Sequence, residues 1–214
     1  MQRALGQWEN YLHSAAAEPP TVQCALLHYQ FEAIHPLLDG NGRIGRLLIT
    51  LFFCSRGCLS QPLLYLSGFF EEHRDEYYRR LLAVSQEGDW RGWLDYFLRG
   101  VRTQARRALA DTQTLLALYE ECRATFKAGR KVPMTAGPIL DELFGNPVFS
   151  IARFCAATGH SHPTASKGIE FWQRAGFVHE VTGQRRHRLF VAQRLVDLMM
   201  GRAPAEASTS TASS

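Results

Sequence analysis

Cysteine is sparse in this chain of 214 residues, and what there is does not pair. The five cysteines stand at 24, 54, 58, 122 and 155. An odd, scattered set excludes a disulfide framework and a Cys-based zinc frame, and fits reduced thiols in a cytoplasm. Long apolar runs are also missing: the stretch 47–54 falls far short of the ~20 residues a bilayer-spanning helix needs. No signal-peptide pattern opens the chain, so neither export nor a membrane partner is expected. Residues 1–34 show no strand-like alternation, which leaves no β-hairpin there. A large excess of one charge is lacking too, the formal net charge being +4. The charge is uneven, however. Residues 1–129 hold 14 Lys/Arg and 14 Asp/Glu, whereas 130–202 hold 10 against 5. The basic excess lies wholly in the second part, a weak pointer to nucleic acid, since such a face is often only solvated.

The rest of the composition is that of an ordinary globular protein, 46% hydrophobic and 21% charged. Residues 1–129 read as helical nearly throughout. Leu5, Trp8 and Leu12 keep helical spacing, and Pro19-Pro20 separates them from a second helix over 22–34. An apolar helix over 44–56 ends at Gly57, an amphipathic one covers 71–84, and a long helical stretch from Trp90 to about Phe126 carries Trp93, Phe97 and Val101. His28 stands seven residues before His35 and can share its face; a satisfied core histidine is the expectation there.

Between these helices lies His35-Pro36-Leu37-Leu38-Asp39-Gly40-Asn41-Gly42-Arg43-Ile44-Gly45-Arg46. A loop of this kind, entering a helix N-terminus, offers unpaired N–H groups and the positive end of a dipole to an anion. Gly40 and Gly42 let the backbone approach a ligand closely. Arg43 and Arg46 can reach one phosphate chain with forked donors. Asp39 is a hard oxygen ligand suited to Mg²⁺ held between a carboxylate and phosphates. His35 can take a proton near neutral pH. Each element alone is commonplace; together they read as a phosphate-binding catalytic loop.

The spacing His-x-x-x-Asp-Gly-Asn-Gly-Arg-x-x-Arg resembles the signature of the Fic (Fic/Doc) family of nucleotidyltransferases, which mostly transfer AMP from ATP to a protein hydroxyl. Leu37 stands where that family usually has Phe and is expected to pack in the core. The resemblance extends through Pro62-Leu63-Leu64-Tyr65-Leu66-Ser67, Arg74-Asp75-Glu76-Tyr77-Tyr78 and Glu87-Gly88-Asp89-Trp90, covering roughly residues 1–125. It implies an all-helical core, ATP as substrate with Mg²⁺, and a protein partner bearing a Ser, Thr or Tyr hydroxyl. By the same resemblance His35 is the general base and Asp39 holds Mg²⁺. Asn41 with the Gly40 and Gly42 backbone binds the α/β-phosphates, and Arg43 and Arg46 the terminal charge. Tyr77 and Tyr78 lie along the nucleoside, with Gln86 toward the base. The motif does not report which base the donor carries. Two family features are not found in the sequence, a β-hairpin flap and a Ser/Thr-x-x-x-Glu-Gly/Asn inhibitory helix. Their absence keeps a second reading open: a DNA-binding or partner-docking regulator whose core only binds nucleotide.

The segment around Gly129-Arg130-Lys131-Val132-Pro133 marks the expected boundary, giving domains 1–129 and 130–202 and a disordered tail 203–214 rich in Ala, Ser and Thr. Residues 137–144 form a short helix. Ser150 starts a second, Thr158-Gly159-His160 turns the chain, and Ser161 or His162 starts a third with Pro163 in its first turn. Ala165, Ile169 and Trp172 line its inner face and Gly176 ends it. Strands follow over 177–181 and 186–191. This order resembles a winged helix-turn-helix, a small α+β domain often found after a Fic core, so the expected fold class is mostly α. On such a domain Thr164, Ser166, Lys167 and Gln173 meet base edges and Arg185, Arg186 and Arg188 hold phosphates. Docking of a protein, or of a second copy as a homodimer, is the equal alternative.

Overall fold

The computed structural model describes residues 1–14, 18–129, 131–184 and 188–200. Ten helices and one small sheet are present among them, so the chain is mostly α. The order is α1 (Gln2–His13), α2 (Pro20–Ile34), α3 (Asn41–Ser55), α4 (Leu66–Glu72), α5 (Arg74–Glu87), α6 (Trp90–Ala128), α7 (Ala136–Gly145), β1 (Val148–Ser150), α8 (Ile151–Thr158), α9 (His162–Arg174), β2 (His179–Glu180), β3 (Leu189–Val191) and α10 (Gln193–Met199). Among the described residues, no helix is long and apolar enough to cross a membrane. The chain divides into two compact units, Met1–Leu109 and Ala110–Ser214.

The first unit gathers an aromatic core from helices distant in sequence. Trp93 and Phe97 are fully buried and Tyr96 nearly so, with Phe69, Phe70 and Tyr77 packed among them. The indole N–H of Trp93 donates to the carbonyl of Ala25 at 3.0 Å, which ties α6 to α2 without stranding a polar group. Pro20 occupies the first turn of α2, where its missing N–H costs nothing. The helical pattern over 71–84 breaks at His73, which separates α4 from α5. The helix after the motif begins at Asn41, earlier than its apolar run suggests, and is not buried all round. Ile44, Leu47 and Leu51 stay exposed while Ile49, Phe52 and Phe53 enter the core.

The second unit is built on an apolar core of Ile139, Leu143, Phe149, Ile169, Trp172 and Phe190, each at most 1% exposed. Leu118 and Cys122, on the C-terminal part of α6, belong to this core, so the division falls before them and not at 129. The reason is the continuous helix: no break in its pattern marks where its apolar residues change partner. Gly168 has no side chain because α9 presses there against Thr135 and Ile139. Helices α7, α8 and α9 are followed by the antiparallel pair β2–β3, and β1 joins β3 on its other edge, giving the order β1-β3-β2. The first expected strand shortens to 179–180; of the second, 189–191 is strand, and 186–187 lie outside the described residues. Phe177 and Val178 are buried outside any strand. Arg185, Arg186 and the tail 203–214 lie outside the described residues.

Candidate active site

Helix α2 ends on His35, whose backbone is left-handed (φ 50°, ψ 57°) while its N–H donates to Phe31 O at 3.0 Å. It is the one non-glycine with positive φ among the described residues. For a residue bearing a Cβ that geometry is strained, and such strain concentrates at functional sites. The side chain is exposed, and its ring makes no hydrogen bond among the described residues, so both nitrogens are open to an incoming hydroxyl.

The loop then turns back on itself through Asn41. Asn41 is 2% exposed. Its amide accepts from the Leu37 N–H at 2.8 Å and donates to the Leu37 carbonyl at 2.6 Å. The side chain expected on the phosphates is therefore occupied in bracing the loop. Leu37, expected in the core, is 40% exposed. The loop bends outward between residues 36 and 40, and the bracing of Leu37 falls on its backbone.

Gly40 caps α3 in the left-handed conformation at φ 82°, with no side-chain cap. The first bond of α3 is Ile44 N–H to Gly40 O at 3.0 Å. The N–H groups of Asn41, Gly42 and Arg43 have no acceptor among the described residues. An anion is the natural partner of three such donors at the positive end of a fifteen-residue helix. Both arginines fold back over this end. Arg43 Nη2 lies 3.4 Å from where a Cβ on Gly40 would stand, and Arg46 Nη1 lies 3.2 Å from the same point on Gly42. Side chains at 40 and 42 would crowd both guanidiniums. Asp39 is almost fully exposed; its Oδ1 accepts from the Gly40 N–H at 2.7 Å and its Oδ2 pairs with Arg43 at 3.4 Å. No group of three metal-ligating side chains exists among the described residues. A single exposed carboxylate beside a phosphate cradle still fits Mg²⁺, which keeps several waters and is held largely by phosphates.

Behind the loop stands His28, 3% exposed, and it is the satisfied core histidine the sequence leads one to expect. Its Nδ1 lies 3.2 Å from Gly45 O and its Nε2 3.0 Å from the Tyr77 hydroxyl. Those partners make Nδ1 the donor and Nε2 the acceptor for the phenol proton. Burial holds the imidazole far down, to about 3, against the opposing pull of the Gly45 carbonyl. Tyr77 is thereby corrected: it is 3% exposed, its hydroxyl serves His28, and burial raises its pKa. It is not open to a nucleoside. Tyr78 is exposed beneath the guanidinium of Arg74, and Gln86 is exposed near the C-terminal end of α5. Neither makes a hydrogen bond to residues 35–46 among the described residues.

One neighbour of the site escapes the sequence pattern. Glu32 lies one turn before His35, and its Oε1 is buried without a hydrogen-bond partner. Burial raises its pKa, opposed by the charges of Arg46 and His35. The available signal was spacing: His28, Glu32 and His35 follow at i, i+4 and i+7, one helical face.

Comparison with known proteins agrees with this geometry. Residues 1–53 match the model of the Fic/DOC family. The protein adenylyltransferase Fic of Drosophila yakuba is 34% identical over 135 residues, 63% of this chain and 23% of that protein. The Aedes aegypti protein of the same name is 32% identical over 135 residues, again 23% of its length. The chain thus spans about a quarter of the curated relatives it matches. A crystal structure of a Fic family protein from Desulfovibrio desulfuricans G20 superposes with a TM-score of 0.50 at 20% identity, covering 89% of this chain and 54% of that one, a likeness of fold. The likeness to the Fic/DOC family thus lies in residues 1–53, the stretch that holds the loop and the start of α3.

Proposed function

We propose that this protein transfers AMP from ATP to a hydroxyl side chain of a target protein. The observation that carries the reading is one juxtaposition: a strained, exposed histidine with a free ring stands six residues before a helix N-terminus with three open N–H groups and two arginines folded over it. The Asn41, Gly42 and Arg43 amides receive the α/β-phosphates, and Arg43 and Arg46 the terminal charge. Fixed donors of this kind are each worth about 10²–10³-fold. His35 takes the proton of the target hydroxyl, whose oxygen bonds to the α-phosphorus as the bond to pyrophosphate breaks. Mg²⁺, when bound at Asp39, would neutralise phosphate charge. Asn41 shapes the loop. Tyr78 and Gln86 are assigned to the nucleoside by resemblance alone.

The test is incorporation of label from α-labelled ATP into lysate proteins, with the His35→Ala chain beside the parent. A base contributes about 10²–10⁴-fold, so transfer should fall to background while Mg·ATP affinity stays within a few-fold. Equal labelling by both chains would remove His35 from the mechanism. Binding without any transfer would favour the nucleotide-sensing regulator instead.

For the second unit, the order of three helices and an antiparallel hairpin supports a winged helix-turn-helix, with α9 as the element presented to a partner. Lys167 is exposed on α9, while Arg188 is already paired with Glu180 at 3.6 Å. If this unit binds DNA, affinity falls steeply with salt. Replacing Arg185, Arg186 and Arg188 by Ala then flattens the slope by up to ~3 units, at about 0.9 per phosphate contact. A gel shift at low salt with no complex at micromolar protein would leave a protein-docking or dimerisation module.

A further inference from the structure

Glu32 has no place in the mechanism above, yet its carboxylate is pressed into the site's framework. A Cβ on Gly45 would stand 2.5 Å from Glu32 Oε1 and 3.2 Å from Phe31 Cδ1. The missing side chain at 45 therefore makes room for this carboxylate, which lies against α3 one residue before Arg46. Oε1 is buried there and accepts no hydrogen bond. Buried acceptors without a donor are rare, and each calls for an explanation. Here it is charge. Of the groups acting on Glu32, Arg46 is the foremost cation and His35 the next. Arg46 is half-buried, and its guanidinium runs back along α3 to within 3.2 Å of a Cβ position on Gly42, above the open amides. A long flexible cation folded back on its own helix loses rotamer freedom, and an anion fixed beside its root favours that arrangement.

We propose that Glu32 is a positioning residue for the phosphate site, its carboxylate lodged against the bare α-carbon of Gly45 and keeping Arg46 folded over the N-terminal turn of α3. The inference rests on the assignment of Arg46 to the terminal phosphates. Arg46 arrives at the cradle already ordered, so the phosphates need not order it. AMP, which lacks terminal phosphates, gains nothing from this. Glu32→Gln keeps the shape and removes the charge. Glu32→Asp shortens the side chain and keeps the charge.

Calorimetry of ATP and AMP binding by the parent, Glu32→Gln, Glu32→Asp, Arg46→Ala and the Glu32→Gln/Arg46→Ala double variant tests this. Glu32→Gln should weaken ATP about 3- to 10-fold, the lower part of the range of pair couplings, and leave AMP within about twofold. A fold defect would weaken both nucleotides alike. Glu32→Asp should bind ATP more tightly than Glu32→Gln. The double variant should lose no more ATP affinity than Arg46→Ala alone. Losses that multiply in the double variant, or a Glu32→Gln chain that binds ATP as well as the parent or better, overturn this inference while leaving the phosphate assignment standing. An Arg46→Ala chain that binds ATP normally overturns that assignment and this inference with it.

Discussion

The two units treat awkward backbone and buried polarity differently. In the second, the described left-handed turns fall on Gly159, Gly176 and Gly183, where no Cβ is strained. Its buried polar side chains are satisfied nearby: Thr135 donates to Thr164 O at 2.9 Å, and Asp197 accepts from Gln193 at 2.8 Å. In the first, three left-handed turns also use glycine, at 40, 57 and 88, but a fourth uses His35. An imidazole is sealed among aromatics at 28, and a carboxylate oxygen goes unpartnered at 32. Local choices that agree with the fold are what a folding sequence needs, and departures from that agreement collect at functional sites. These three departures lie within residues 28–46, the segment that carries the motif, and a fourth, the buried and unpartnered Arg80 Nε, lies outside it.

Acid should expose this difference most strongly. His28 is ordinarily near 6.5 and is held at about 3 in the fold. Between those values the unfolded chain binds one more proton than the folded one. The stability tied to a neutral His28 is thus complete above 6.5 and is lost as pH falls, at about 1.4 kcal/mol per pH unit. From pH 6.5 to 5 that amounts to about 2 kcal/mol. Glu32 works in the opposite sense, since a raised carboxylate pKa gains stability as pH falls, so the parent is compared with a His28→Asn chain that keeps Glu32. Hydrogen exchange of amides around Ile49 in the first core and Ile169 in the second reads the two units within one intact chain. The His28-dependent slope is expected at Ile49 and not at Ile169. Equal slopes at Ile49 in both chains would show that His28 is not neutral in the fold.

Asn41 sharpens the comparison at a single side chain. Asn41→Ala strands the Leu37 N–H and carbonyl, and leaving such groups without partners costs about 1–3 kcal/mol where they are buried. Leu37 is partly solvated, so the loss in melting stability should fall at the low end of that range. The effect on transfer should be larger, because the bracing holds His35 and the α3 amides in register. A variant with normal transfer would separate the loop's shape from its chemistry.

How much of this was readable beforehand depended on sequence distance. The helix ends at Gly57, Gly159 and Gly176, and the inner face of Ala165, Ile169 and Trp172, follow from local spacing, and the structure keeps them. Strand β1 was not legible: its three residues gain their identity from pairing with Leu189–Val191, some forty positions later. Tyr77 misled for a related reason. The sequence places a tyrosine pair on one helix but cannot show that a histidine 49 residues earlier takes one of the hydroxyls. Leu37 misled because an apolar residue in a motif is ordinarily packed, and nothing local reveals that the loop turns it outward. Glu32 is legible only through its shared helical face with His28 and His35; what it packs against is the empty side of Gly45, and an absent side chain leaves little signal.

The smallest expected effect bears most directly on why the first unit departs from the habits of the second. A left-handed residue with a Cβ costs about 1–2 kcal/mol, and Gly relieves that at an entropic cost of roughly 0.5–1. His35→Gly should therefore leave melting stability unchanged or raise it by up to about 1 kcal/mol, while transfer is lost as in His35→Ala. The reciprocal change in the second unit, Gly159→Ala, puts a Cβ into the same conformation where no other atom comes within 4 Å. It should destabilise by about 1 kcal/mol through backbone strain alone, not by a clash. Thermal unfolding of the two variants should then shift in opposite directions or leave only Gly159→Ala weakened. If His35→Gly instead melts well below the parent, the histidine side chain is holding the fold together, and its left-handed backbone loses its functional explanation.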